Sequence, residues 1–233
     1  MGEKQGYKQY INYFKKWDGA AMLGSIMMVV GFLILWLGLG WGYITYLLMM
    51  VGLFGGLAVF LYGSIGRKHE ADFQAEVAHR AETITFRELE EDSHFRRRVP
   101  KEKIEERIFE AFDLCDGLYV KAMKNAALCS SDYTYAKMLY LNDAFYIKTL
   151  AFSFISDKKE LSVHEIYYDS LEDVTVERDR KTITTVNNKR FLAKTCFLCL
   201  TYDGGKQLRL PAKDDIYTDE FAETLKRKYI EKK

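Results

Sequence analysis

Residues 19–66 decide the architecture of this chain, and they read GAAMLGSIMMVVGFLILWLGLGWGYITYLLMMVGLFGGLAVFLYGSIG. No charged residue lies among these 48 positions, of which 34 are hydrophobic, 11 are glycine and three are serine or threonine. A membrane-spanning helix needs about 20 apolar residues to cross a hydrocarbon layer about 30 Å thick. The stretch is too long for one crossing and suits two. We therefore predict a membrane α-helical hairpin with spans at residues 20–37 and 44–65.

The turn of this hairpin is expected at residues 38–43, GLGWGY. Three glycines weaken a helix there, and Trp41 and Tyr43 have the amphipathic rings that are favoured at membrane interfaces. A cleaved signal peptide is the alternative interpretation. Its apolar core would have about 7 to 15 residues and be followed by a small-residue cleavage site, and neither feature is present.

Lysine and arginine flank the apolar stretch on both sides and are absent from its predicted turn. Because cytoplasmic flanks carry the excess of these residues, we expect both termini in the cytoplasm. The inverted orientation would put six basic residues on the wrong side of the membrane. These residues are Lys4, Lys8, Lys15, Lys16, Arg67 and Lys68.

Glycines recur at spacings that keep them on one face of each predicted span. Lipid offers little hydrophobic drive between helices, so small residues that allow close backbone approach commonly hold spans together. We expect the glycines to close the hairpin; a dimer contact through Gly52-x-x-x-Gly56 is the alternative. The candidate packing residues are Gly24, Gly31, Gly38, Gly52, Gly56 and Gly63.

The predicted spans contain no ionisable residue. Transport, proton relay and voltage sensing generally need such groups inside the membrane, where they are too costly to keep without a use. The hairpin is therefore expected to be an anchor, or a sensor of its bilayer, and not a channel or a pump.

Residues 67–116 are dense in charge and show helical amphipathicity. Their apolar positions recur at helical spacings, which predicts a helical stalk that continues the second span. These positions are Phe73, Val77, Ala81 and Ile84. Pro100 can occupy the first turn of a second helix. The apolar side of that helix would hold Ile104, Ile108, Ala111, Phe112 and Cys115.

The densest basic segment of the chain is HFRRRVPKEK, at residues 94–103. Basic residues close to a membrane are attracted to an anionic cytoplasmic leaflet. A straight stalk would place Arg96 roughly 40 Å from the membrane, so lipid contact requires the stalk to bend back. A solvated or internally paired turn is the alternative. The candidate lipid contacts are Arg96, Arg97, Arg98, Lys101 and Lys103.

Residues 117–233 are typical of short β-strands followed by one helix. Turn signals at Asn142-Asp143, Asn187-Asn188 and Asp203-Gly204-Gly205 separate runs rich in aromatic and β-branched residues. The predicted strands lie at residues 131–141, 144–155, 161–168, 174–178, 181–186, 190–202 and 207–210. Asp214 or Asp215 is expected to cap the last helix. Its core face would hold Tyr217, Phe221, Leu225 and Tyr229.

This order of elements, with the pattern Ile166-x-Tyr168-x-x-Leu171-x-x-Val174, resembles a pleckstrin-homology-like (PH-like) or GRAM-like domain of the bacterial kind. The whole layout is similar to the YcxB-like membrane proteins. The resemblance implies a cytoplasmic α+β domain, an antiparallel β sandwich or barrel of about seven strands with a C-terminal helix. It also implies an interaction surface and not an active site. Basic residues near the first hairpin are only scattered, as Lys121, Lys124 and Lys137, so inositol-lipid recognition is not expected.

No motif in the chain predicts catalysis, a metal or a cofactor. Cys196 and Cys199 match C-x-x-C, but residues three apart on a strand point to opposite faces, so we expect buried thiols. The histidines show no metal-ligand spacing, and there is no glycine-rich phosphate loop or nucleophile elbow. Nucleic acid binding is not expected, since the chain as a whole is nearly neutral, at +1, and has no recognisable motif.

The sequence thus predicts a basic N-terminal segment (1–18), a membrane hairpin (19–66), a helical connector (67–116) and a PH-like β domain (117–233). The leading hypothesis is a non-enzymatic interaction or scaffold module, integral to a bacterial cytoplasmic membrane, that contacts an unknown protein or a second copy of itself. The alternatives are a peripheral sensor of anionic lipid using residues 94–103, and an enzyme at the membrane surface.

Overall fold

The computed structural model describes residues 2–15, 19–37, 42–65, 70–86, 91, 97–100, 105–123 and 127–231. The chain divides into two compact units, Met1–His69 and Glu70–Lys233. The first unit is helical, and the second contains the strands. The charged connector from Glu70 onward therefore belongs to the unit that contains the strands.

The first unit contains helices α1 (Gly2–Lys15), α2 (Ala20–Trp36) and α3 (Tyr43–Ser64), the last with one π-helical turn at Val51–Gly55. Helix α3 has 22 residues and a mean hydropathy of 2.2, so it is long and apolar enough to cross a membrane. Helix α2 has 17 residues and passes the same test only together with Tyr7–Lys15, from which it is bent by 70°. The structure thus shows one helix of spanning length, and the two-span hairpin stays a prediction.

Helices α2 and α3 run antiparallel and touch through their backbones. A Cβ atom added to Gly56 would lie 2.8 Å from the carbonyl oxygen of Gly24, and one added to Gly52 would lie 2.9 Å from the Cα of Gly31. Real Cβ atoms do not approach backbone atoms so closely, so the contact depends on glycine. The glycines at this contact are Gly24, Gly31, Gly52, Gly56 and Gly63, whereas Gly38 lies outside the described residues. Gly52 and Gly56 thus face α2 of the same chain.

The second unit begins with α4 (Glu70–Ala81) and continues with nine strands among the described residues. The strands are β1 (Glu106–Phe112), β2 (Val120–Ala122), β3 (Leu128–Ser130), β4 (Asp132–Tyr140), β5 (Ala144–Ser153), β6 (Lys159–Tyr167), β7 (Leu171–Thr184), β8 (Arg190–Tyr202) and β9 (Lys206–Pro211). They form a four-stranded sheet in the order β1-β4-β5-β6, a three-stranded sheet β7-β8-β9 and the hairpin β2-β3, all antiparallel. Helix α5 (Ile216–Tyr229) follows. The prediction of an α+β unit with antiparallel strands and a C-terminal helix is confirmed.

The predicted turns lie between strands of the structure, at the positions that the sequence indicated. Leu141 N–H donates to the carbonyl of Ala144 across Asn142-Asp143. Asn188 has a φ of 57°, and Asp203, Gly204 and Gly205 also have positive φ. The two strands predicted at 174–178 and 181–186 are one continuous strand, β7.

The helix predicted after Pro100 is wrong, because Glu106–Phe112 is strand β1 and pairs with β4. Phe109 lies on the face toward α5, where its ring centroid is 6.0 Å from that of Phe221. Phe112 lies on the opposite face, 4.9 Å from the ring of Tyr133. Apolar residues lie on both faces of this strand, although Ile108 is 48% exposed, so they do not alternate and they mimic a helical pattern.

The predicted stalk is also wrong, because α4 packs on the outer face of the four-stranded sheet. Phe73 is buried, with its ring 4.8 Å from that of Phe154 and 6.3 Å from that of Phe112. The Arg80 guanidinium lies 4.6 Å from the ring centroid of Phe152 and donates to the carbonyl of Ser153. The amphipathic spacing did predict the helix itself. Its apolar side covers the sheet.

The core lies between the two larger sheets and is closed by α5. Asp215 caps this helix by accepting a hydrogen bond of 2.9 Å from Thr218 N–H, as predicted. Leu225 is buried, and the ring of Tyr229 stacks on Tyr168 at 4.1 Å. Tyr217 is 68% exposed, so its predicted place on the core face is wrong; Thr218 is buried instead.

We expect Gly24→Ala to destabilise the pair α2 and α3 by about 1–3 kcal/mol, although alanine is the better helix former. The added methyl group would lie 2.6 Å from the Gly56 carbonyl oxygen and would force the helices apart. Unfolding of the full chain in mixed detergent micelles, followed by tryptophan fluorescence, measures the effect.

Gly55→Ala is the matched control, because its Cβ would meet only side-chain atoms, the nearest 3.7 Å away. This variant should be as stable as the parent or slightly more stable. Equal losses in both variants would show that the glycine contact does not hold the pair.

Candidate functional site

The hairpin β7-β8 extends beyond the rest of its sheet. Strand β8 pairs with β7 from Arg190 to Tyr202 but with β9 only from Phe197 onward. Between Arg190 and Cys196, sheet pairing is with β7 alone. The outer half of the hairpin is therefore a two-stranded ribbon.

The inner face of this ribbon is anchored to the segment around β2. Ile183 and Ala193 are fully buried and form a cluster with Val120. Thr184 N–H donates to the Asp116 carboxylate at 2.6 Å, and the carbonyl of Thr184 accepts from Gly117 N–H at 3.0 Å. The ribbon consequently has one face fixed and one face open.

The open face is basic. Arg180 lies directly opposite Lys194, and Thr184 lies opposite Arg190. Between these pairs lies Leu192, which is 62% exposed. Like charges placed directly opposite on antiparallel strands destabilise the pairing. We call Arg180, Arg190, Leu192 and Lys194 the basic face; all four residues are exposed.

This hairpin carries an excess of positive charge. Residues 178–194 contain six basic residues and one acidic residue, a net charge of +5, whereas the whole chain carries +1. The remainder of the chain therefore carries −4. The basic residues are Arg178, Arg180, Lys181, Lys189, Arg190 and Lys194, and the acidic residue is Asp179.

Arg178 lies at the base of the hairpin and pairs with two carboxylates of the same chain. Its Nε donates to Asp214 at 2.6 Å and its Nη2 to Asp219 at 2.7 Å. The hydrogen bond from Arg178 lowers the pKa of Asp214, and the charges of Arg178, Arg180 and Lys194 add to this. Within the described residues, no ion pair joins the basic face to an acidic side chain.

An open cleft of about 960 Å³ lies beside the hairpin. Its walls come from the end of β1, from β7 and β8 and from the residues around β9. The lining includes cations, carboxylates and a thiol, among them Asp113, Cys115, Lys158, Lys194 and Arg209. The cleft and the basic face share Leu192 and Lys194, so together they form one continuous candidate surface.

One carboxylate of the cleft, that of Asp113, has a shifted pKa. Burial raises its pKa, the nearby charge of Asp132 raises it further, and a hydrogen bond from the Thr134 hydroxyl and the charge of Lys158 act in the opposite direction. Burial and the charges of Asp113 and Asp132 likewise raise the pKa of the Cys115 thiol. A protonated thiol is a poor nucleophile, so the arrangement does not resemble an activated cysteine site.

The basic segment predicted from the sequence is only partly described. Arg97 is exposed, whereas Arg98 is 12% exposed and lies between two carboxylates. Its Nε bonds Asp143 at 2.8 Å, its Nη1 pairs with Glu165, and its guanidinium lies 5.0 Å from the ring centroid of Tyr167. Burial alone would lower the pKa of Arg98, but the two carboxylates raise it above its ordinary value. Arg96, Lys101 and Lys103 lie outside the described residues.

The thiols follow the sequence prediction with one exception. Cys129, Cys196 and Cys199 are buried and not in disulfides, as expected for the C-x-x-C pair, but Cys115 is exposed. Its predicted place on the apolar side of a helix is wrong, because it follows β1 in a loop. No group of three or more His, Cys, Asp or Glu side chains is placed to hold a metal ion in the described part of the chain.

Sequence reasoning missed the basic face because its cations are divided between two strands. Neither strand contains a run of basic residues as dense as the one at residues 94–103. The signal was present in the turn at Asn187-Asn188, which brings Arg180 opposite Lys194 once the register is known.

Comparison with protein-family models, with curated proteins and with solved structures found no match for this chain.

We expect Arg98→Ala to lower the free energy of unfolding by about 2–4 kcal/mol, because Asp143 and Glu165 would lose a common, largely buried cation. Urea unfolding of the full chain in micelles, followed by circular dichroism of the strands, measures the loss. Arg97→Ala is the matched control and should change stability by less than about 0.5 kcal/mol. Similar values for the two variants would contradict an internal role for Arg98.

Asp113→Asn should stabilise the chain at pH 7. A raised pKa means that the folded state binds the proton more tightly than the unfolded state, so the parent loses stability as the pH rises through that pKa. Asparagine still accepts the Thr134 hydrogen bond and carries no charge. The advantage of the variant should shrink as the pH falls toward the ordinary aspartate value of 3.8.

The measurement is the free energy of unfolding at several pH values. Asp157→Asn, in an exposed turn, is the control. An advantage of Asp113→Asn that does not change with pH would show that the Asp113 charge is not its cause.

Proposed function

We propose that this chain is a membrane-anchored, non-enzymatic interaction module. In this proposal α2 and α3 form a two-span hairpin in a bacterial cytoplasmic membrane, both termini are cytoplasmic, and the second unit offers a binding surface on the cytoplasmic side. The observation that carries the proposal is the backbone contact of α2 and α3 through glycine. It joins two helices that contain no charged residue.

The outward surfaces of the two helices support a lipid environment. Large apolar side chains such as Phe32 and Trp36 on α2, and Ile44 and Phe54 on α3, are mostly exposed. Only 6% of the most apolar window of α3 is buried. An apolar surface of this extent is rare on a protein in water, and the core helix of a soluble protein would be covered. Helix α2, at 17 residues, lies at the lower limit of spanning lengths.

We extend this proposal to a PH-like assignment for the second unit, which rests on the sequence resemblance. Four strands in one antiparallel sheet, three in a second and a C-terminal helix that closes the core are the elements that the resemblance implies. The hairpin β2-β3 is an addition between the first two strands of the four-stranded sheet. The likeness to the YcxB-like membrane proteins remains part of this proposal.

The binding surface in this proposal is the basic face together with the adjoining cleft. Arg180, Arg190 and Lys194 give the basic face a charge of +3, which favours an anionic partner. A lipid sensor built on residues 94–103 is less well supported, since Arg98 is engaged by Asp143 and Glu165. The raised pKa of Cys115 and the lack of a nucleophile-base pair in the cleft give no support to catalysis.

The proposal predicts that the chain resists extraction from membranes at alkaline pH and that Cys115 faces the cytoplasm. A membrane-impermeant maleimide should label Cys115 in inverted membrane vesicles and not in intact spheroplasts. Cys115 is exposed and the other three cysteines are buried, so no engineered cysteine is needed. A mildly alkaline buffer is required, because partial desolvation and the nearby charges of Asp113 and Asp132 raise the pKa of this thiol.

Cys115→Ser is the control and should abolish labelling of the folded chain. Release of the chain by alkaline extraction would overturn the anchor. Labelling of Cys115 in intact spheroplasts would overturn the orientation while leaving the anchor standing.

A further inference from the structure

We propose that the basic face of the β7-β8 hairpin contacts the headgroups of an anionic lipid bilayer, as a second attachment besides the helices. This inference rests on the proposed membrane anchor and names the partner of the proposed surface. The surface is Arg180, Arg190, Leu192 and Lys194, with Val186 and Lys189 in the turn at the end of the hairpin.

The first argument is electrostatic. Arg180 and Lys194 lie directly opposite each other and repel across the strand pair, and the Asp214 carboxylate is already bonded to Arg178. The repulsion between these two cations is relieved by a surface that supplies many anions at once. Each basic residue close to an anionic membrane surface raises the binding constant by roughly fivefold.

The second argument is the apolar content of the same face. Leu192 is 62% exposed and lies between Arg190 and Lys194 along β8, and Val186, in the turn, is 48% exposed. Basic residues around exposed aliphatic side chains are the composition with which protein segments enter the boundary between headgroups and acyl chains.

The third argument is the local concentration of lipid. A unit tethered to a bilayer by its own helices meets headgroups at a high effective concentration, so weak contacts suffice. An acidic protein partner is the competing occupant of the same surface, and the experiment below separates the two.

The test is hydrogen exchange of the full chain in nanodiscs, read by mass spectrometry on peptides that cover residues 180–194. One nanodisc contains phosphatidylcholine alone, and the other has part of it replaced by phosphatidylglycerol. We expect exchange of the hairpin to slow by roughly fivefold or more in the anionic nanodisc. The effect should vanish in about 1 M salt, where the Debye length is about 3 Å.

Two variants with the same change of charge make the test specific. The triple variant Arg180→Gln, Arg190→Gln, Lys194→Gln should lose the slowing. The control triple variant Lys159→Gln, Lys206→Gln, Arg227→Gln removes three exposed cations elsewhere in the second unit and should keep it.

Equal exchange in both nanodiscs, with the helices protected, overturns the inference, leaves the anchor intact and favours an acidic protein partner. Slowing that survives the first triple variant, or that is lost equally in both, overturns the basic face as the contact. Helices that exchange freely in nanodiscs overturn the anchor, and the inference with it.

Discussion

The two central strands of the four-stranded sheet, β4 and β5, must be covered on both faces, and most of the second unit follows from this constraint. The inner face of this sheet holds Phe145, Ile147 and Met138, which are buried against the other large sheet and α5. Its outer face also holds large rings, among them Tyr133 and Phe152. Exposing such a face to water would cost free energy, so the connector folds back over it and α4 lies on the rings. A connector used in this way is part of the domain and not a spacer.

The two units meet the need for close packing in opposite ways. In the second unit the contacts are made by large side chains, as in the cluster of Phe73, Phe112 and Phe154. In the first unit the two helix backbones touch directly, because Gly24 and Gly56 have no side chain to hold them apart. The difference has a physical cause, because burying an aromatic ring gains free energy in water and gains little in lipid. The choice of contact residue is consistent with the solvent that we propose for each unit.

The sequence predicted those features that depend on local chemistry. The uncharged stretch, the turn at Asn142-Asp143, the bounds of β8 and the cap at Asp215 all follow from neighbouring residues. Strand β1 was missed because its apolar residues, Ile108, Phe109, Ala111 and Phe112, lie on both faces, which removes the alternation that identifies a strand. The basic face was missed because its cations meet only through strand pairing, and the pairing of Arg98 with Asp143 joins positions 45 residues apart. Such features depend on strand register and on tertiary contacts, and neither can be read from the pattern of residues in one sequence.

The uncharged, antiparallel helix pair has an electrical consequence. A membrane potential does work only on charge that moves through it, about 2.3 kcal/mol for each elementary charge per 100 mV. Helices α2 and α3 carry no formal charge, and their opposed macrodipoles largely cancel. In a bilayer this pair would be electrically silent, so its position would be the same in an energised and a de-energised membrane. Any signal that reached such an anchor would have to be mechanical or compositional, through the thickness or the lipids of the membrane, and not through its voltage.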